Sequence, residues 1–251
     1  MPSSHDALDL GPLTLGGNVF GWTADRDASF AILDAFHAGG GNFVDTAESY
    51  TRWVPGNSGG ESEALIGEWL DSRGRRDDVL IATKVFSHPD RPGLSAANIA
   101  AAVEDSLRRL GVDAIGLYQF HRPDPATPWE DSMGALRALA DDGLVQMVGV
   151  SNADVAQIDI ARSIVGEAFV SVQNQFSPGW RFSADELAHC AGHGLAFIPW
   201  SPFGGVGAAG SLDSSAPAFA ELAAELDVSV HRVALAWHLA QAPVVVPIPG
   251  A

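Results

Sequence analysis

Apolar runs and helical repeats alternate along almost the whole chain. Leu13–Phe20 reads as a first strand. Asp27–Ala38 has helical spacing and stops at Gly39-Gly40-Gly41. Asn42–Asp45 is a short strand, and Glu61–Ser72 is a helix with Ala64, Leu65, Trp69 and Leu70 near one face. Val79–Lys84 is a strand. Ser95 caps a helix that runs to Leu110 and ends at Gly111. Ala114–His121 is a strand, Trp129–Asp142 a helix stopped by Gly143, and Leu144–Val150 a strand. Ala153–Ile164 is helical, Phe169–Gln173 a strand, Ser183–Gly192 a helix and Leu195–Trp200 a strand. The helices Ala216–Leu226 and Val230–Ala240 follow, the second capped by Ser229. Val244–Pro247 is the last strand.

Strands that alternate with helices in this way build a parallel sheet. About eight such units suit a closed (β/α)8 barrel of the TIM type, whose active groups sit at the C-terminal ends of the strands. Asp45, Lys84, His121, Ser151, Gln173 and Ser201 all fall at or just past predicted strand ends. The rival, a doubly wound open sheet, wants a Gly-rich turn after its first strand. Gly16-Gly17-Asn18-Val19-Phe20-Gly21 does not have that spacing. The expectation is α/β, one barrel domain over residues 1–251. The sequence reaches Pro249-Gly250-Ala251 with no eighth helix, so Val244, Val246 and their neighbours are expected to meet water.

Composition narrows the partners. The formal net charge is −17, which repels nucleic acid and anionic membranes and excludes both as main partners. Backbone N–H groups still allow a phosphorylated ligand. Cys190 is the one cysteine, so no internal disulfide forms, as fits a reducing cytoplasm. Met1–Leu10 lacks the basic start and apolar core of a secretory signal, and no apolar run approaches membrane-span length.

Lys84 is the only lysine beside thirteen arginines, and it ends a buried apolar run. A cation there costs free energy unless it is paired. Tyr50 closes the segment that begins at Asn42 and contains Asp45. A carboxylate, a phenol and an ammonium near strand ends are the parts of a proton-delivering site. A free phenol has a pKa of about 10, and a nearby ammonium lowers it. Asp45 can offset the burial of Lys84, and His121 can donate to an oxygen on which charge develops. Each residue alone has a plainer use: Asp45 as a turn residue, Tyr50 as packing, His121 before a turn, Ser151-Asn152 as a helix cap. Trp22, Trp53 and Trp180 lie in loops, as packing staples or walls of a substrate pocket. Residues 52–60 have turn chemistry suited to a mobile lid. His88, His189, His193 and His238 show no metal-ligand pattern, read as surface or core histidines, and no metal is expected.

Seven motifs in order carry a resemblance. They are Asn42-Phe43-Val44-Asp45-Thr46-Ala47 with Tyr50; Ala82-Thr83-Lys84; Gln119-Phe120-His121-Arg122-Pro123-Asp124; Gly149-Val150-Ser151-Asn152; Val172-Gln173-Asn174-Gln175-Phe176-Ser177; Pro199-Trp200-Ser201-Pro202-Phe203-Gly204; and Val246-Pro247-Ile248-Pro249-Gly250. From about Leu13 to Ala251 the chain resembles the aldo-keto reductases, NADPH-linked (β/α)8 enzymes. The resemblance implies Tyr50 as general acid, Lys84 and Asp45 as its tuning pair, and His121 as the group orienting a substrate carbonyl. It implies that Ser151, Asn152 and Gln173 hold the nicotinamide carboxamide and that Trp200 stacks on the ring. Ser201, Pro202, Phe203 and Gly204 would approach the pyrophosphate, and Gly17 and Asn18 would lie near the nicotinamide.

Three departures stand out. Trp200 replaces a frequent tyrosine, and Phe176 replaces another. The resemblance implies NADPH as the cofactor; the family's basic loop and helix for the 2′-phosphate have no counterpart here, which leaves NADH possible. The expected reaction is reduction of a small aldehyde or ketone. The alternatives are a non-catalytic nicotinamide-binding regulatory subunit and a Schiff-base lyase with Lys84 as nucleophile.

Overall fold

The computed structural model describes residues 11–74 and 77–250; the Met1–Leu10 reading and Ala251 lie outside them. Seven strands form one parallel sheet in sequential order: β1 Leu15–Gly16, β2 Phe43–Asp45, β3 Leu80–Val85, β4 Ile115–Phe120, β5 Val145–Ser151, β6 Phe169–Gln173 and β7 Ala196–Phe197. The long helices are α1 Arg26–Ala38, α2 Glu61–Ser72, α3 Ala96–Leu110, α4 Trp129–Asp141, α5 Val155–Val165 and α6 Ala184–His193. Two one-turn helices follow, α7 Val206–Ala209 and α8 Leu212–Ser215, then α9 Pro217–Leu226 and α10 Val230–Leu239.

Helix ends follow local chemistry. Asp25, Ser95 and Ser229 each accept a hydrogen bond from the backbone three residues on, which satisfies a donor the helix itself cannot. Asp154 and Gln157 form a reciprocal capping box on α5. Gly111 ends α3 with φ +67°, a conformation that costs other residues more.

The eighth strand expected over Val244–Pro247 appears as isolated pairings. Val245 and Ile248 bridge Phe197 and Trp200, while Gly250 bridges Gly16. Val246 N donates to Phe197 O, and Gly16 N donates to Pro249 O. Residues 244–250 therefore join β7 to β1 and close the ring. Two prolines in this stretch remove ladder donors, which explains why no regular strand forms.

Among the described residues no helix follows this segment. The expectation that Val244 and Val246 meet water is wrong: they are 4% and 0% exposed. Val244 and Val245 pack into the large cluster between sheet and helices. Val246 and Ile248 join Phe43, Ala82 and Leu117 in a second cluster drawn from successive strands, which plugs the barrel interior.

Candidate active site

Inward-facing positions set the site. Side chains two apart on a strand share a face, so Phe43 and Asp45, Ala82 and Lys84, and Leu117 and Gln119 each give one apolar and one polar inward position. The apolar members belong to the interior plug. The polar members lie a step nearer the C-terminal mouth and bond to one another. Lys84 Nζ donates to Asp45 Oδ2 at 2.5 Å, Thr46 O at 2.9 Å and Tyr50 Oη at 3.0 Å. Gln173 Nε2 donates to Asp45 Oδ1 at 2.9 Å, with Gln119 Nε2 at 3.5 Å. The ion pair has side chains 0% and 2% exposed. Lys84 thus has three acceptors, and both oxygens of Asp45 are engaged, as burial requires.

Tyr50 leans over this pair. Its ring centroid is 4.8 Å from Lys84 Nζ and 5.8 Å from the His121 ring. Burial pushes the Tyr50 phenol above its usual value; Lys84 pulls it down and Asp45 pushes it up again. The ammonium alone would lower the phenol, but burial outweighs it. Burial works against the Lys84 cation, but Asp45 and Tyr50 outweigh it, so its pKa is raised. Burial, with the Lys84, Arg122 and Arg52 charges, lowers His121 to about 3. His121 Nδ1 is buried without a partner.

A cavity of about 680 Å³ opens above these groups. Of the sequence candidates, Asn18, Trp22, Asp45, Tyr50, Trp53, His121, Ser151, Asn152, Gln173, Trp200, Ser201, Pro202 and Phe203 line it. Lys84 lies beneath, reaching it through Tyr50. Gly17 and Gly204 are not in the lining; their neighbours Gly16 and Gly205 are. Gly17 instead runs against β2, its N–H donating to Asp45 O, and a Cβ there would come within 3.0 Å of that oxygen. Trp180 lines a separate depression of about 300 Å³ that shares Asn152 and Trp200, because its partner is Phe182, 4.8 Å away.

The strand-end turns are strained and braced. Thr51, Phe86, Asn152 and Ser201 all have positive φ, a cost seen where function fixes the backbone. Asn152 Nδ2 donates to His121 O, and Trp200 Nε1 donates to Asn152 Oδ1, linking three strand ends. The turns around residues 52–60 are tied down rather than lid-like: Glu61 accepts from Thr51 Oγ1, Ser58 N and Gly59 N. From α10, His238 Nε2 bonds Pro202 O, and His231 Nε2 bonds Ala209 O. These two histidines steady the 201–209 loop, a role their sequence neighbourhood did not reveal. Phe203 N and Gly205 N make no backbone hydrogen bond among the described residues. They offer donors suited to phosphate oxygens, so the lining fits a dinucleotide.

Away from the cavity, Asp159, His189 and His193 bring their ligand-type atoms within 4.8 Å of one another. No spacing along the chain announces this cluster, because its carboxylate comes from α5 and its histidines from α6; Arg162 shares the Asp159 oxygen.

The family model for the aldo/keto reductase family matches residues 12–251. The chain belongs to the aldo/keto reductase family. It is 34% identical to an uncharacterized oxidoreductase, C215.11c, of Schizosaccharomyces pombe, over 94% of this chain and 73% of that protein. It is 31% identical to an aryl-alcohol dehydrogenase [NADP(+)] of Phanerodontia chrysosporium, over 77% of this chain and 55% of that protein. An aldo/keto reductase from Klebsiella pneumoniae, solved with NADP and acetate, superposes with a TM-score of 0.81 at 26% identity, covering 96% of this chain and 81% of that one. Members of the family are oxidoreductases that reduce carbonyls with NADP cofactors. No helix among the described residues is long and apolar enough to cross a membrane.

Proposed function

We propose that the chain is a reductase of small aldehydes or ketones that uses NADPH. The observation that carries this is Lys84 Nζ, 3.0 Å from Tyr50 Oη and 2.5 Å from Asp45 Oδ2, directly beneath the cavity. When bound, the nicotinamide supplies hydride to the carbonyl carbon. Ser151, Asn152, Gln173 and Trp200 would hold its ring end, and Ser201, Pro202, Phe203 and Gly205 its phosphates.

The chain's own residues supply the proton. Tyr50 stays protonated at neutral pH, since a phenol ordinarily titrates near about 10 and burial raises it further, so it waits as the neutral acid. As the carbonyl oxygen gains charge, Tyr50 donates its O–H and the phenolate that forms meets the Lys84 cation. Asp45 keeps Lys84 charged and aimed. His121 is neutral, and one ring nitrogen can donate to the same oxygen without delivering a full charge. The raised pKa of Lys84 and its three acceptors argue against a Schiff-base nucleophile, which must be a neutral amine. A silent nicotinamide-binding subunit would have no need for the complete proton path.

The test is steady-state reduction of an aromatic aldehyde beside a cofactor titration, with Tyr50→Phe as the variant. Loss of the acid should lower turnover about 10²–10⁴-fold and leave cofactor affinity largely intact. Turnover within twofold of the parent would remove Tyr50 as the acid. A parent chain that binds NADPH but reduces nothing would favour the regulatory reading.

A further inference from the structure

Two arginines stand at the reaction end of the cavity, and the proton path uses neither. Arg52 is two residues after Tyr50, Arg122 is next to His121, and both line the cavity. In a chain of net charge −17, most cations are spent on carboxylates. Arg26, Arg73, Arg91, Arg108, Arg109, Arg137 and Arg162 each pair with one. Among the described residues Arg52 and Arg122 form no ion pair. Arg122 lies over the Phe86 ring, 4.4 Å from its centroid. The acid that feels it, Asp124, already accepts from Leu94 N, Ala126 N and Thr127 Oγ1.

The carboxylate in the cavity lining is Asp45, and Lys84 neutralises it. The unbalanced charge of the site is therefore positive, against the sign of the whole molecule. Position is controlled too. Thr51 holds a left-handed φ of +67°, pinned through its Oγ1 to Glu61 and through its carbonyl by Asn57 Nδ2. That turn carries Arg52 and Trp53 over the cavity. Trp53 meets Trp22 edge to face at 5.6 Å. Both remain about half exposed, which gives an aromatic wall beside the two guanidiniums.

We propose that Arg52 and Arg122 form an anion subsite that selects carbonyl compounds carrying a carboxylate on a flat apolar body, such as carboxyl-substituted aromatic aldehydes. The wall takes the ring, the arginines take the carboxylate, and the carbonyl points to Tyr50 and His121. This rests on the reductase reading for turnover, though binding does not need it.

The experiment compares kcat/KM for 4-carboxybenzaldehyde and its neutral methyl ester, which differ in charge more than in ring electronics. The parent should prefer the acid. The preference should fall roughly fivefold for each of Arg52→Gln and Arg122→Gln, the upper range for an exposed ion pair, and Arg52→Glu should reverse it. Arg137→Gln, on a distant helix, controls for bulk charge and should leave the preference in place. An equal preference in parent and cavity variants overturns the proposal. So does a loss confined to NADPH affinity, which would assign the arginines to cofactor phosphate. If neither aldehyde turns over, the reductase reading fails, and tryptophan fluorescence decides the subsite instead. 4-(Hydroxymethyl)benzoate should bind the parent more tightly than its methyl ester, and the double Arg→Gln variant should lose that gap. No gap in the parent overturns the subsite as well.

Discussion

Lys84→Met should do more than stop turnover; it should strand a charge. The pair it breaks is enclosed, with side chains 0% and 2% exposed and 2.5 Å between charges. Removing one partner of a buried ion pair costs about 3–5 kcal/mol, because the other is left uncompensated. Here Asp45 keeps Gln173 Nε2 at 2.9 Å and the longer contacts from Gln119 and Tyr50, which places the expected loss near the lower end, about 3 kcal/mol. That is a large share of a typical domain stability of about 5–15 kcal/mol. Adding Asp45→Asn removes the stranded charge and keeps an acceptor for Gln173. The double variant should therefore be more stable than Lys84→Met alone, with a coupling of about 2–3 kcal/mol. Urea unfolding of the four proteins, with slopes checked for constancy, measures this. A Lys84→Met loss below about 1 kcal/mol, or single effects that add within about 0.5 kcal/mol, would refute the picture of a tightly coupled buried pair.

Lys84→Arg should also fail to reduce aldehydes, since the planar fork cannot place one donor on Tyr50, Asp45 and Thr46 O together; a near-normal rate would mean that any cation suffices. Trp200→Leu should weaken cofactor binding and reduce the fluorescence quench that accompanies it, and equal affinity and quench in both proteins would count against stacking. His121 titrates at about 3 in the fold against about 6.5 when unfolded. The unfolded chain therefore binds the extra proton between those values, and stability falls as pH drops from about 6.5 toward 3. His121→Asn should flatten part of that fall in urea midpoints taken from pH 7 to 4; identical slopes would show that the ring does not carry it.

The strand–helix order was legible because each element obeys its own local chemistry. Glu61–Ser72 and Phe169–Gln173 match to the residue, since each is flanked by glycine or by a change of period. The first strand is shorter than its apolar run, and the last breaks into isolated pairings that run on to Gly250. Leu13–Phe20 shrinks to Leu15–Gly16, because Gly17 and Asn18 turn the chain so that Phe20 pairs with Ala24. The short helices α7 and α8 have too few turns to show a period. In the site, a single lysine and its strand-end position pointed to the proton path, because burying a lone ammonium needs a reason. Arg52 and Arg122 carried no such signal. Thirteen arginines look alike in sequence, and their difference lies in which carboxylates reach them. His238 was equally silent: its bond to Pro202 O spans thirty-six residues, and no local pattern encodes it.

Why the mouth holds both the charges and the strain follows from what lies below it. Phe43, Ala82, Leu117, Val246 and Ile248 close the interior with apolar contacts alone, and the larger cluster outside the sheet adds most of the burial. Those layers supply the cohesion, so the upper layer can carry groups that cost stability: an enclosed ion pair, a histidine nitrogen without a partner, and four non-glycine residues at positive φ. None of these would persist in a layer that had to hold the sheet together. Their braces run sideways, from Glu61 to Thr51, from Asn152 to His121 and from His238 to Pro202. Cutting a brace should therefore disturb the placement of Tyr50, His121 or the 201–209 loop before it threatens the barrel. That ordering, geometry lost before stability, separates a prepared site from polar residues that merely ended up buried.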